Sequence, residues 1–369
     1  MKKIKFLFIA TIVAALLISC GGQPEVASES EVVVVEEEAA VVEEAPVEPE
    51  GKICVAVDGG VDDKAYNQSA WEGAKEAAEG LNWDAVYLVA EQQTDWEKNI
   101  NEFLDSSCDI IIGVGWTCAE AVQTAAEANP DQLFQVQDYA YFPTIPNVWG
   151  QLYSMEEGSF LAGYLAAGMT TTGKVGGFGG MNIPPVADFF IGYAQGIEYY
   201  NQENGTDVQL LGWSNETLDG NFVGDFSDTE AARRFTESLM DEGCDIILPQ
   251  SGVQALAAAA AMKQRGGVMA IGADADQFVA DTANGSVYMT TIMKNLGVSI
   301  VSAANKVADG TFEGGTYFAH LADGGLALAP FHDYDSLVSD EIKAGLARIE
   351  QDVIDGTIEV KNWAALATE

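Results

Sequence analysis

Histidine is nearly missing from this chain of 369 residues: only His320 and His332 occur, and neither sits in a metal-binding or nucleophile spacing. Cysteine is sparse too, five in all, with no CxxC pair and no Cys/His cluster, which removes a zinc site. Ser251 lies in Gln250-Ser-Gly252, but the G-x-S-x-G elbow of a hydrolase is absent. The glycine-rich Gly176-Gly-Phe-Gly-Gly180 lacks the spacing of a dinucleotide fingerprint. Basic residues number 17 against 57 acidic ones, for a formal net charge of −40. Such a chain repels nucleic acid and shows no basic patch, so nucleic-acid partners are discounted. The same acidity suits solubility outside a cell. No cofactor or metal is expected, and the pattern points to binding rather than catalysis. Paired acids that hydrolyse a glycosidic bond remain the rival reading.

What is present begins with an address. Lys2, Lys3 and Lys5 precede an apolar run from Phe6 to Ile18, short of the about 20 residues that span a membrane. The run ends in Leu17-Ile18-Ser19-Cys20, which reads as a lipoprotein cleavage site. Residues 1–19 are therefore expected to be a signal peptide and Cys20 an acylated N-terminus, anchored to the outer side of the cell membrane by lipid alone. From Gly21 to Glu50 there are ten glutamates and no Lys or Arg, so residues 20–50 are expected to be an acidic, disordered tether.

The remainder, 51–369, writes one passage twice. Cys108-Asp-Ile-Ile-Ile-Gly-Val-Gly returns as Cys244-Asp-Ile-Ile-Leu-Pro-Gln-Ser-Gly. Thirty residues beyond each Cys an aspartate follows a second apolar run: Asp138 and Asp274. Strand and helix patterns alternate in both halves, and continuous apolar runs such as Asp109–Val114 suit parallel strands covered on both faces. The expectation is two doubly wound α/β lobes with right-handed crossovers. Lobe one takes about 51–170 plus C-terminal parts, including helix Met155–Met169, and lobe two about 173–285. Crossings near Met169–Gly173, Asp281–Thr291 and Leu321–Leu328 make a hinge. Cys54, Cys108 and Cys244 read as small buried core residues; a Cys108–Cys118 disulfide is the alternative in an oxidising compartment.

In α/β sheets, ligands sit beyond the carboxyl ends of strands. Asp58, Asp138 and Asp274 each follow a strand, which would put three carboxylates around one cleft, where they suit ribose hydroxyl pairs or the N–H edge of a purine. Lys294 can donate to a sugar oxygen. Tyr66, Trp116 and Phe222 are flat and apolar, suited to stacking on a base, although Trp116 and Phe222 read equally as core anchors. Gly252 would let backbone approach a ligand or simply make a turn. Asp62 or Asp63 is expected to cap the helix before Gln68. The same residue types would also serve a sugar or a flavin.

The stretch Asp58-Gly-Gly-Val-Asp-Asp-Lys-Ala-Tyr-Asn-Gln-Ser-Ala-Trp-Glu-Gly73 resembles the opening signature of the basic membrane protein family of ABC-transporter lipoproteins, the purine-nucleoside-receptor type. Glu157-Gly-Ser-Phe-Leu-Ala-Gly163, Phe226-Ser-Asp228, Gly272-Ala-Asp-Ala-Asp-Gln277, Thr290-Thr-Ile-Met-Lys294 and Ile354-Asp-Gly-Thr-Ile-Glu-Val360 fit it in order. The resemblance implies a type I periplasmic-binding-protein-like fold with a multi-crossing hinge. It also implies a small-molecule ligand, a purine nucleoside, held between the lobes and passed to an ABC permease. Asn67 enters the site by this resemblance, within Ala65-Tyr66-Asn67, where Tyr66 takes the place of the family's usual Phe. Ala273 and Ala275 replace bulkier residues, and Ser214–Asn221 looks like an inserted loop at the mouth.

Overall fold

Uninterrupted apolar runs set the strands of both lobes, because each strand is covered by helices on two faces. In the computed structural model, which describes residues 49–368, the first half runs β1 (Lys52–Asp58), α1 (Tyr66–Leu81), β2 (Asp84–Ala90), α2 (Gln93–Asp105), β3 (Ile110–Gly113), α3 (Ala119–Ala128), β4 (Leu133–Gln137) and β5 (Val148–Tyr153). Helix α4 (Met155–Met169) leads to the second half: β6 (Lys174–Gly179), α5 (Pro184–Asn204), β7 (Gln209–Leu211), the hairpin β8 (Trp213–Ser214) and β9 (Asp219–Gly220), and α6 (Thr229–Asp241). It continues with β10 (Ile246–Gln250), α7 (Gln254–Arg265), β11 (Met269–Asp274), α8 (Gln277–Ala280) and β12 (Tyr288–Lys294). The chain closes with α9 (Leu296–Ala308), β13 (Gly315–Ala319), β14 (Leu326–Leu328), α10 (Asp340–Ile354) and α11 (Trp363–Leu366). The signal peptide, Cys20 and the tether as far as residue 48 lie outside the described residues.

The duplication is visible in the sheets. One has strand order β13-β5-β4-β3-β1-β2 and the other β14-β12-β11-β10-β6-β7, so the two match position by position. They differ at one edge: β13 pairs parallel to β5, whereas β14 pairs antiparallel to β12. Among the described residues no helix is long and apolar enough to cross a membrane.

Three points correct the expected boundaries. Helix α4 belongs to the second lobe, where it packs on α5, β12 and β14. The contact is set by glycine: a Cβ on Gly163 would meet Tyr193 O and one on Gly196 would meet Phe160 O, so only bare backbones can approach this closely. The first crossing between lobes is therefore at Ser154, ahead of α4. The second falls at Asn295, because β12 completes the second sheet while α9 packs on α1 and β4 of the first. The third, between β13 and β14, falls where the sequence suggests.

The cysteine reading also changes. Cys54 and Cys108 form a disulfide, with Cα atoms 6.0 Å apart, and Cys118 and Cys244 are free and buried. Pairing of β1 with β3 brings the first two together. Cys118 instead bonds the Gly115 carbonyl at 2.9 Å. The Ser214–Asn221 insertion folds as the β8–β9 hairpin and is tied to the lobe body, with Asn215 donating to Ile191 O.

Candidate functional site

The carboxyl ends of both sheets face one gap, and the backbone there is strained at matching places. Asp138 directly follows β4 with φ +58° and Asp274 ends β11 with φ +70°. These are the aspartates of the repeat, both in the left-handed region that residues with a Cβ rarely occupy. Such strain persists where the surrounding structure holds it, commonly at functional sites.

Asp138 is gripped from the opposite lobe. Lys294, the last residue of β12, donates to its two carboxylate oxygens at 2.9 and 3.2 Å. Both side chains are buried, 3% exposed for Lys294 and 10% for Asp138. The Lys294 ammonium also lies 5.3 Å from the Tyr66 and Tyr153 ring centres and 5.6 Å from that of Phe189, within cation–π range. Tyr153 is held in turn, donating to Gln137 Oε1 at 2.7 Å.

Asp58 ends β1 at the accessible rim. Its carboxyl is held above the usual range by the protein that encloses it, with Asp63 adding to the rise and the Asn67 and Thr117 side chains opposing it. Asn67 donates to the Asp58 carbonyl at 2.6 Å. As expected, Asp63 caps α1, accepting from the backbone N–H groups of Asn67 and Gln68 at 2.8 and 3.0 Å. Gly115, at φ +98°, passes beside Asp58 and Tyr66. Trp116 follows it and is 40% exposed, so it is not the core anchor that its size allows.

Asp274 carries the most telling electrostatics. Burial pushes its carboxyl up to about 6, with Lys294 pulling down and Asp138 and Asp63 pushing up. Among the described residues its Oδ1 has no protein partner, nor do the buried Asn67 Oδ1, Gln250 Oε1 and Ser251 Oγ. Polar atoms left this way can meet a polar ligand or water. Burial and the Asp138 carboxylate raise the Tyr66 phenol well above its usual range, so it remains a donor.

The structure thus gathers Asp58, Tyr66, Asn67, Asp138, Asp274 and Lys294, with Trp116 beside them. Phe222 and Gly252 make their contacts within the second lobe. Phe222 packs over Gly179 and meets Phe190 and Trp213 edge-on. Gly252 has φ +57°, which suits a turn, and open space where a Cβ would stand.

Sequence reasoning missed several neighbours. Gln277 of α8 donates across the lobes to Lys64 O at 2.9 Å. Asp188 is pushed up to about 7 by burial while accepting the Trp363 N–H at 2.6 Å, and Glu156 is raised well above its range by burial with Asp188 nearby. An acid inside Val186-Ala-Asp-Phe-Phe-Ile191 was the available signal for the former.

Two doubly wound lobes, three crossings and a polar gap lined from both sides define a two-lobed solute-binding protein of the periplasmic-binding-protein type I fold. A family model described as "ABC transporter substrate-binding protein PnrA-like" (Bmp) matches residues 51–363, and the chain belongs to this family. Its members are extracytoplasmic substrate-binding proteins, not enzymes. The chain is 26% identical over 361 residues to Basic membrane protein A of Borreliella burgdorferi, covering 96% of this chain and 95% of the relative. It is 27% identical over 319 residues to the ABC transporter nucleoside-binding protein BmpA of Lactococcus lactis, covering 82% and 86%. A solute-binding protein of an Aeropyrum pernix ABC transporter shares the fold, with TM-score 0.74 and 24% identity over 84% of this chain and 92% of that one.

Proposed function

We propose that this protein captures a purine nucleoside between its lobes and delivers it to an ABC permease, held at the membrane by a lipid on Cys20. The observation that carries the reading is the convergence of Asp58, Asn67 and Tyr66 from one lobe with Asp274 from the other, leaving hydrogen-bonding atoms without protein partners among the described residues. The nucleoside-binding relative supports the ligand class. Tyr66 and Trp116 offer rings for the base, while carboxylates accept from ribose hydroxyls or the N–H edge of the purine. A ligand that contacts both lobes only when they are closed shifts the population toward that form, which the permease then recognises.

Calorimetry on refolded protein against inosine, guanosine, adenosine, ribose and riboflavin tests the ligand. Binding of nucleosides without turnover supports the reading; binding of ribose or riboflavin alone refutes it. The anchor is tested separately: Cys20→Ser should release the protein from the membrane fraction.

A further inference from the structure

Three buried side-chain amides have one end fixed and the other free. Asn67 Nδ2 donates to Asp58 O, Gln254 Nε2 to Asp225 O and Oδ1 at 3.1 and 2.9 Å, and Gln277 Nε2 to Lys64 O and Ala273 O at 2.9 and 3.3 Å. Those partners can only accept, so the orientation of each amide is decided and its oxygen is the end left over. Among the described residues, Asn67 Oδ1, Gln254 Oε1, Gln277 Oε1 and Asp274 Oδ1 all lack a protein partner, on side chains no more than 6% exposed. Every one is an acceptor. The buried cation at the gap, Lys294, is already bound to Asp138.

Beside Asp274 runs a groove of about 850 Å³ between α1 and α9 of one lobe and the β11–α8 segment of the other. Glu72, Glu76 and Asp276 line it along with the apolar Val279, Val298 and Val301; Lys64 is the one basic residue lining it among the described residues. Glu72 accepts from Gln68 Nε2 and Asp276 Oδ2 is bonded to His332 Nε2, both at 2.8 Å, which leaves Asp276 Oδ1 free. A volume of this order suits a small-molecule substituent. An ammonium would meet carboxylates there and a phosphate would meet like charge.

We propose that this receptor selects its ligand by charge: it favours a nucleoside carrying an ammonium-bearing substituent that lies in the groove, and it rejects phosphorylated nucleosides. The inference rests on the nucleoside reading and deepens it. The Asp274 carboxylate and the oriented amides of Asn67 and Gln277 accept from the nucleoside, while Glu72, Glu76 and the free Oδ1 of Asp276 hold the cation.

The test is a competition series on the full chain with adenosine, 5′-amino-5′-deoxyadenosine and adenosine monophosphate, at low and high salt. The amine should bind about fivefold tighter than adenosine and the monophosphate about tenfold weaker, because Glu72 and Glu76 are exposed and solvent screens their charge. Both differences should shrink as salt screens them. In the Glu72→Gln/Glu76→Gln variant the advantage of the amine should fall. Monophosphate binding as tightly as adenosine, or an amine binding no tighter, overturns the proposal while the nucleoside reading stands. Failure of adenosine, inosine and guanosine alike removes that reading and this inference together.

Discussion

Replacing Asp274 with asparagine should stabilise the ligand-free protein and weaken ligand binding, both for one reason. Burial raises this carboxyl from 3.8 to about 6. The folded state therefore holds the proton more tightly than the unfolded chain does. As far as this group is concerned, stability is greatest below the unfolded value and declines as pH rises through about 6. A shift of roughly two pH units corresponds to about 3 kcal/mol at neutral pH. The substituted amide would carry no charge to desolvate, so at pH 7.5 the variant should melt about 4 °C higher, taking an unfolding entropy of about 0.7 kcal/mol/K for a domain of this size. At pH 4.5 most of that gain should vanish. Ligand donors favour the ionised carboxylate, so wild-type affinity should fall as pH drops below about 6. Losing the charge-assisted hydrogen bond should weaken binding by about 1.5–3 kcal/mol, roughly 10–150-fold. Scanning calorimetry at the two pH values and titration calorimetry with nucleoside read both effects. An unchanged melting temperature at pH 7.5, or wild-type affinity, would refute the argument.

Lys294→Met leaves the Asp138 carboxylate buried and unpaired, which should destabilise the fold by about 3–5 kcal/mol, with most of the loss recovered by adding Asp138→Asn. Denaturant titration checks this, and a loss below about 1 kcal/mol would show the pair to be well solvated. Gln277→Ala removes a hydrogen bond between the lobes and should weaken ligand affinity by about 0.5–1.5 kcal/mol, chiefly through faster release in stopped-flow measurements. Equal release rates would mean that the contact does not support closure. Cys54→Ala/Cys108→Ala opens a 54-residue loop. Chain entropy then predicts about 4 kcal/mol lost. Unchanged thermal stability would contradict the pairing.

Most individual elements were legible because parallel strands covered on both faces demand unbroken apolar runs. The apolar run Asp109–Val114 holds strand β3, Ile110–Gly113, and Asp138 and Asp274 could be matched across the repeat. The side on which an element packs was not legible. Helix α4 is buried around most of its circumference, so its pattern names no partner, and the glycine contacts that seat it on α5 lie in two separate segments. The disulfide was missed for a similar reason: Cys54 and Cys108 meet only through the pairing of β1 with β3. At the site, residue types announced carboxylates and rings, but the grip of Lys294 on Asp138 joins positions 156 apart and needed the folded chain. Gln277, whose side chain spans the lobes, stood in the Gly272–Gln277 motif without a role that sequence could give it.

The most direct test is a crystal structure of the protein with a bound purine nucleoside. Electron density should lie between the lobes, with Asp274 Oδ1 and Asn67 Oδ1 accepting from the ligand and the Tyr66 ring against its base. A nucleoside bound on the surface of one lobe, with those oxygens still without partners, would contradict it.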